Sequence, residues 1–444
     1  MELDMQTYVA KFGGSSLADA AQFQKVAAII KAKPARKYIV ASAPGKRSSD
    51  DIKVTDLLYS CYNKAAAGED FMPVLDEIRD RFQEIIDDCE IRFDLNTELA
   101  VIAAHLYEGP QKEYMASRGE YLNSKLLAAY LEFDFLDAAE CIRFREDGHL
   151  DAETTNDNLA KALRDRPYTV VPGFYGAQED GTIRTFSRGG SDVTGSLVAR
   201  AVHADMYENW TDVSGMMSAD PRIVENPRII EAITYRELRE LSYMGASVMH
   251  EAAVFPVRKA GIMMNIRNTN RPDDPGTLIA SELPRVPRKH KVTGIAGMKG
   301  FTSILVEDSS MNDQVGYGMK LLGIFARHGV PFEHLPTGID TMSVVVRTAT
   351  FDPHRNAIMD EIRDEIGPEM LFVEDHLAMV AVVGQGMAYS KGTAARIMKA
   401  LSDARINIRM IDQGSSEINI IICVDEEDYE EAIRSIYNQI EFTL

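Results

Sequence analysis

Apolar residues in the first two-thirds of the chain alternate between short runs and helical stripes. Tyr8, Val9, Ala10 and Phe12 form a run suited to a buried strand, and Ala20, Phe23, Ala27 and Ile30 follow at helical spacing. Ser16 and Asp19, three apart ahead of that stripe, read as a capping start. Runs at 37–42, 168–172 and 206–210 predict further strands, and stripes at 76–89, 120–131 and 191–204 predict helices. In the last of these, Val193, Leu197 and Ala201 are most simply core contacts. This alternation predicts a layered α/β domain. Residues 281–291 combine Pro284 and Pro287 with Arg285, Arg288, Lys289 and Lys291 and have no period, so they read as a solvated linker.

Beyond the linker the pattern repeats. A shift of 76 positions lays Gly316 on Gly392 and Gly338 on Gly414. It also lays Leu321 on Ile397, Phe325 on Leu401, Val330 on Ile406, Phe332 on Ile408 and Val344-Val345-Val346 on Ile420-Ile421-Ile422. Each copy reads helix, strand, glycine turn, strand, helix, preceded by a strand at 302–306 or 377–383. Two ferredoxin-like βαββαβ units are therefore expected, each too small to bury much surface unless it pairs with the other. A purely structural duplication and a pair of small-molecule sensors both fit that pattern.

Charge narrows the choice of partner. Lys and Arg number 48 against 68 Asp and Glu, a formal charge of -20, which argues against nucleic acid as main partner. A nucleotide is not excluded, because its few charges are met locally. The four cysteines, Cys61, Cys89, Cys141 and Cys423, form no C-x-x-C pair and read as reduced core thiols. No basic-then-apolar leader opens the sequence and no apolar run reaches membrane length. A soluble cytoplasmic protein is the expectation.

The candidate chemistry lies in two glycine turns. Lys11-Phe12-Gly13-Gly14-Ser15 takes the first strand into a helix, which lets backbone N–H groups approach an anion while Lys11 supplies a mobile charge. A plain βα turn would need the same glycines for geometry alone. A second turn, Ser187-Arg188-Gly189-Gly190-Ser191-Asp192, again opens onto a helix, and Arg188 offers a fork suited to carboxylate or phosphate. Two such turns in one domain would set two helix N-termini against one polyphosphate. Trp210-Thr211-Asp212-Val213 and Asp220-Pro221-Arg222 follow a strand as polar loops. No P-loop sequence occurs. His250-Glu251 begins like a zinc motif, but Val254 stands where the second His belongs, so no metal cage is expected.

Taken together, Lys11–Ser15, Arg118-Gly119-Glu120, Arg188–Asp192, Trp210–Val213 and Asp220–Arg222, in this order and followed by the repeat, resemble the aspartokinases of the amino-acid kinase superfamily. The resemblance covers nearly the whole chain. It implies a carbamate kinase-like αβα sandwich over 1–282, then two ferredoxin-like ACT domains over 293–372 and 373–444. Whether the first ACT domain is inserted into the second stays open. It further implies transfer of a phosphoryl group from ATP, with Mg²⁺ held mainly by the nucleotide phosphates, to the β-carboxylate of L-aspartate. The product, 4-phospho-L-aspartate, leads toward lysine, threonine and methionine.

By resemblance Lys11 and Asp192 serve catalysis, Asp192 orienting Lys11 or metal-bound water. Ser42, Thr55, Glu120, Arg188 and Ser191 hold aspartate. Lys11, Gly13, Gly14, Ser15, Gly189, Gly190, Thr211, Asp212, Met217, Arg222 and Ser247 belong to the ATP site. Ser247 stands where many members have a nucleotide-site Lys, and Met217 where many have Tyr, so phosphate compensation leans on Arg222, Lys11 and the metal. Met311, Gln314, Gly316, Tyr317, Gly318, Thr337, Ile339 and Asp340 belong to effector loops for an amino acid, lysine first and threonine second. A homodimer or larger homo-oligomer through the ACT domains is implied. Two alternatives remain open at this point: a kinase acting on glutamate, acetylglutamate or UMP, and a non-catalytic amino-acid sensor.

Overall fold

The computed structural model describes residues 6–187, 189–246, 249, 251–283 and 290–441. Arg188, Ser247 and most of the linker at 284–289 lie outside the described residues. The chain divides into two compact units, one of residues 1–216, 229–236 and 248–284, the other of 217–228, 237–247 and 285–444.

The first unit is built on strands β1 (Tyr8–Phe12), β2 (Arg36–Ala41), β3 (Asp134–Phe135), β4 (Thr169–Pro172), β5 (Tyr175–Ala177), β6 (Ile183–Thr185), β7 (Met206–Thr211), β8 (Ala232–Thr234), β9 (Met263–Asn268) and β10 (Thr277–Ala280). Eight of them form one sheet in the order β3-β4-β2-β1-β7-β9-β10-β8, while β5 and β6 make a separate hairpin. All pairs in the large sheet are parallel except β9 with β10. Parallel strands are covered on both faces, which is why β1 and β4 read as continuous apolar runs.

Side-chain alternation assigns the two faces of β1. Ala10, Phe12 and Trp210 enter a core with helices Ala20–Lys31, Val54–Ala66, Met72–Asp88, Leu95–Glu108 and Lys112–Leu131. Lys11 points to the other face, toward helix Gly190–Ala201. That helix packs closely on β7, since a Cβ on Gly195 would stand 2.5 Å from the Tyr207 hydroxyl.

Several boundaries differ from expectation. The first helix starts at Ala20 with Asp19 as its cap, accepting from the Gln22 N–H at 2.9 Å. Ser16 is not a cap: it sits in a short 3-10 turn, Gly14–Leu17, and its hydroxyl bonds that of Thr269 at 2.8 Å. The helices expected at 76–89 and 120–131 begin earlier, at Met72 and Lys112. Helices Val54–Ala66 and Leu95–Glu108 were not among the expected elements.

The second unit carries β11 (Gly294–Glu307), β12 (Phe332–His334), β13 (Thr341–Arg347), β14 (Met370–Val383), β15 (Met410–Asp412) and β16 (Asn419–Asp425) in one sheet, ordered β12-β13-β11-β14-β16-β15. The strands expected at 302–306 and 377–383 are halves of two 14-residue strands, β11 and β14, antiparallel along their length. β13 pairs with 301–307 of β11, and β16 with 377–383 of β14. Each repeat thus has an apolar core at its own end of the sheet, one around Leu321, Phe325 and Val344, the other around Ile397, Leu401 and Ile420. The pairing shifts register beside Gly300, whose φ of 92° a side chain would resist. The sheet is rolled enough that His334 on one edge strand and Asp412 on the other stand 2.7 Å apart.

Segments from the middle of the sequence belong to this unit. The Ser218 carbonyl accepts from the Ile295 N–H at 2.7 Å, and Glu237 accepts from the Thr293 hydroxyl at 2.7 Å. Glu240 accepts from Asn419 at 2.7 Å. Among the described residues no helix is long and apolar enough to cross a membrane. Cys61, Cys141 and Cys423 are buried and free, and burial pushes the Cys61 thiol up to about 12.

Phe325 is fully buried in the core of the first repeat. Phe325→Ala is expected to cost about 3–5 kcal/mol, seen as a lowered transition of the second unit in scanning calorimetry.

Candidate active site

Strand order fixes where a ligand would be met. From β1 the chain passes to β2 on one side, whereas β7, β9 and β10 extend the sheet on the other. The carboxyl ends of β1 and β7 therefore flank a point where successive connections diverge, the usual place for a binding crevice in open α/β sheets.

Lys11 is buried, and its ammonium lies 2.6 Å from Asp192 in the first turn of helix Gly190–Ala201. Asn209, the register partner of Lys11 on β7, donates from Nδ2 to the same Asp192 oxygen at 3.1 Å. The Tyr207 hydroxyl donates to the Asp192 carbonyl at 3.1 Å. Lysine and carboxylate are thus held from two elements, and the Asn209 Oδ1 atom remains buried without a partner.

The first glycine turn closes over this pair. The Gly13 N–H donates to the Trp210 carbonyl at 2.9 Å, and a Cβ on Gly13 would stand 3.6 Å from the Lys11 ammonium. Gly14 needs its hydrogen more strictly: a Cβ there would be 2.8 Å from the Ala43 carbonyl. Gly45 bonds back to the Gly14 carbonyl at 2.8 Å, so two backbone segments touch where any side chain would part them. Ser15 is exposed at the mouth of the turn.

The second turn enters from the β5–β6 hairpin rather than from a strand of the main sheet. Gly189 caps its helix with φ 57°, a left-handed conformation favouring glycine. Gly190 follows it as the first residue of that helix. Ser191 is buried against Gly173, where a Cβ would approach within 2.5 Å.

Glu120 completes the polar set. Gly119 lets its helix close on Ala43, at a position where a Cβ would meet Ala43 at 2.8 Å. The Glu120 carboxyl is thereby enclosed, and one of its oxygens has no partner. Burial pushes its pKa up to about 8, against the Ala43 N–H and Lys11, which favour the ionised form. Beside it the Ser42 carbonyl accepts from Asn123 at 2.6 Å, leaving Asn123 Oδ1 buried and unpaired. Thr55 lies in the first turn of its helix, next to Val54, which packs on Gly119. Thr211 ends β7, and its hydroxyl donates to the Asp212 carboxylate at 3.1 Å.

Met217 and Arg222 belong to the second unit, where Arg222 is exposed and paired with Asp220 at 2.6 Å. Asn209, Asn123, Gly45 and Gly173 were not among the expected site residues. The clue for Asn209 was a polar residue inside an apolar strand.

In the second unit the loops expected to hold an effector come together. The Asp308 N–H donates to the Asp340 carbonyl at 2.8 Å, joining the segment before Met311 to the Thr337–Asp340 turn. Gly316 caps helix Tyr317–Arg327 with φ 87°. Burial and the adjacent Asp308 push the Tyr317 phenol up to about 12. Gly318 faces Met342, Gln314 donates to Ser310 at 2.6 Å, and Ile339 is exposed.

Glu120 keeps a proton in the folded chain that the unfolded chain releases at its ordinary carboxylate value. Stability from this group therefore falls as pH rises toward 8. Glu120→Gln should flatten that fall by up to about 1.4 kcal/mol per pH unit, measured as urea unfolding between pH 6 and 8.

Comparison with known proteins agrees with this arrangement. Residues 6–268 match the amino acid kinase family, and residues 380–440 match an ACT domain. Aspartokinase 3 of Bacillus subtilis (strain 168) is 38% identical over 97% of this chain and 98% of that protein. The crystal structure of Clostridium acetobutylicum aspartate kinase is similar with a TM-score of 0.88 at 47% identity, covering 98% of this chain and all of that one. Escherichia coli aspartokinase III, in complex with aspartate and ADP, shares the fold with a TM-score of 0.72 at 24% identity, over 98% of this chain and 100% of that one. On sequence, on fold and on the meeting of its two glycine turns, this chain belongs to the aspartokinases, kinases of the amino acid kinase family that carry ACT domains.

Proposed function

We propose that this aspartate kinase moves the γ-phosphoryl group of ATP to the β-carboxylate of L-aspartate, giving 4-phospho-L-aspartate on the way to lysine, threonine and methionine. The observation that carries the reading is the Lys11 ammonium, fixed at 2.6 Å from Asp192 beside the two glycine turns. The acceptor carboxylate, with a pKa near ~4, is ionised at neutral pH and needs no general base. What the site must supply is positioning and compensation of the phosphoryl charge. Lys11 and the N–H groups of Gly14, Ser15, Gly189 and Gly190 suit the phosphates, while Gly13 holds the turn in place through its own N–H to Trp210. Asp192, bonded to Lys11 and Asn209, suits an orienting role.

Glu120 has an unpaired buried oxygen to offer the aspartate ammonium, with Ser42, Thr55 and Ser191 completing the acceptor pocket. Arg188 would grip the α-carboxylate. Thr211, Asp212, Met217, Arg222 and Ser247 would serve the nucleotide. The close backbone contact at Gly14 and Gly45, which no side chain could enter, holds the glycine turn in the shape this reading needs. Mg²⁺ would be held chiefly through the nucleotide phosphates. The Escherichia coli enzyme captured with aspartate and ADP supports the choice of substrates.

The reading extends to regulation. A kinase domain over 1–282 and ACT domains over 293–372 and 373–444 belong to this reading, and the pairing of residues 294–299 with 378–383 of β14 supports a nested arrangement in which the second ACT domain takes a strand from 294–299. Met311, Gln314, Gly316, Tyr317, Gly318, Thr337, Ile339 and Asp340 bind an amino-acid effector, and two such chains meet through their ACT domains in the cytoplasm. Exposed Asp313 and Asp340 beside these loops favour lysine, whose side chain ends in a cation, over threonine.

An aspartyl-hydroxamate assay tests acceptor and feedback together: product should form with aspartate and fall on adding lysine. Turnover with glutamate instead would reject the acceptor, and no response to lysine or threonine would reject the regulatory part. Lys11→Ala should lose about 10²–10³ in kcat, the cost of one electrostatic donor. Asp192→Asn at an unchanged rate would remove its orienting role.

A further inference from the structure

The sheet face away from Lys11 carries a second polar centre that phosphotransfer leaves unused. A cavity of about 540 Å³ opens between helix Ala20–Lys31 and the carboxyl-terminal parts of β7 and β9. Its floor is a knot of charge around the buried Glu208. Arg36 donates to that carboxylate from Nε at 2.6 Å and from Nη2 at 3.1 Å, and Trp210 Nε1 donates at 2.9 Å. These three donors hold the carboxylate in place. Arg267 Nη1 stands 3.9 Å away, too far for a hydrogen bond. Both guanidinium groups lie against the Trp210 ring, Arg36 at 5.1 Å and Arg267 at 4.7 Å from its centroid.

Charge in this cavity does not balance. Lys25, Lys33, Arg36 and Arg267 line it, against Asp273 in the lining and Glu208 beneath. Four cations facing two carboxylates leave two positive charges, in a chain whose net charge is -20. Burial already lowers the pKa of Arg267, and Arg36 adds to this against the opposing pull of Glu208. Donors remain for a ligand: Lys25 gives one hydrogen bond, to Asn270 at 2.8 Å, and Lys33 rests over the Tyr8 ring. Arg267 keeps a buried Nε without a partner, and Lys25 and Lys33 stand at the open mouth above it, so an anionic ligand would gain charge-assisted contacts from both levels.

We propose that this cavity binds a small organic anion carrying at least two negative charges, a dicarboxylate or a phosphate monoester, gripped by Arg267, Lys25 and Lys33. The site is separate from the aspartate and nucleotide positions, because Lys11 and Trp210 project to opposite faces of the sheet. It is nevertheless joined to the first glycine turn. Trp210 accepts the Gly13 N–H through its carbonyl, and Thr269 in the cavity wall bonds Ser16.

Trp210 is the only tryptophan in the sequence, so its emission reports on the cavity floor directly. The test titrates the full chain with inorganic phosphate and with succinate at constant ionic strength, read by tryptophan emission and by calorimetry. Saturable binding of at least one anion is expected, weakened about tenfold or more in Lys25→Ala/Lys33→Ala, as for loss of a charge-assisted contact. Arg267→Gln should weaken it likewise, whereas Lys11→Ala should leave it unchanged. No saturable binding of either anion by either readout overturns the proposal. So does binding that survives in Lys25→Ala/Lys33→Ala, or binding that disappears in Lys11→Ala, which would place the anion on the catalytic face.

Discussion

A charged amine buried beside a carboxylate organises the first unit. Lys11 sits on the central strand of a parallel sheet, where an unpaired ammonium would be expensive, and Asp192 answers it at 2.6 Å. That single contact ties β1 to the N-terminus of helix Gly190–Ala201 and sets the two glycine turns over the same point. Asn209 and Tyr207 hold Asp192 from the neighbouring strand, so the pair cannot drift without disturbing β7. Glycine does the rest by subtraction. At Gly14, Gly45, Gly119, Gly173 and Gly195 a Cβ would meet a neighbour at 2.8 Å or less. The site is as much a set of permitted close approaches as a set of functional groups.

Much of this was legible beforehand, for identifiable reasons. Strands β1 and β7 were legible because apolar and aromatic residues dominate them, as expected of parallel strands covered on both faces, with Lys11, Glu208 and Asn209 as the polar interruptions. The glycine turns were legible because backbone approach leaves a compositional mark. What lay hidden depended on register or burial. Asn209 acquires a role only because it pairs across from Lys11, and no spacing within the sequence reveals a partner almost two hundred residues away. Glu120 was assigned by resemblance, but its raised pKa comes from the closeness of Gly119 to Ala43, which belongs to helix packing. Ser16 has the residue type of a cap but its hydroxyl is engaged by Thr269, and the helix begins a turn later with Asp19 as its cap.

The repeat shows the same division. Its period was visible because the cores at either end of the sheet use equivalent positions, Leu321 and Ile397 or Phe325 and Leu401. The length of β11 was not. Gly294, Gly297 and Gly300 punctuate it, and glycines at that spacing read as breaks in a strand pattern. One of them, Gly300, does mark a local irregularity, yet the pairing resumes on both sides of it. The middle segments that join the second unit were equally hidden, since Ala219 and Val224 enter a core made by residues some seventy to two hundred positions further on, an attachment that no local pattern marks.

The two long strands impose a mechanical condition on the duplicated region. Because β11 and β14 run through both halves of the sheet, neither half has a complete set of strands if the other is cut away. A displacement that slides β11 along β14 at one end must be carried to the far end or absorbed at the irregularity beside Gly300. The ladder is continuous at both ends and interrupted only by the register shifts at 299–301 and 301–303. The duplicated copies share a single lever, and the glycine is its fulcrum.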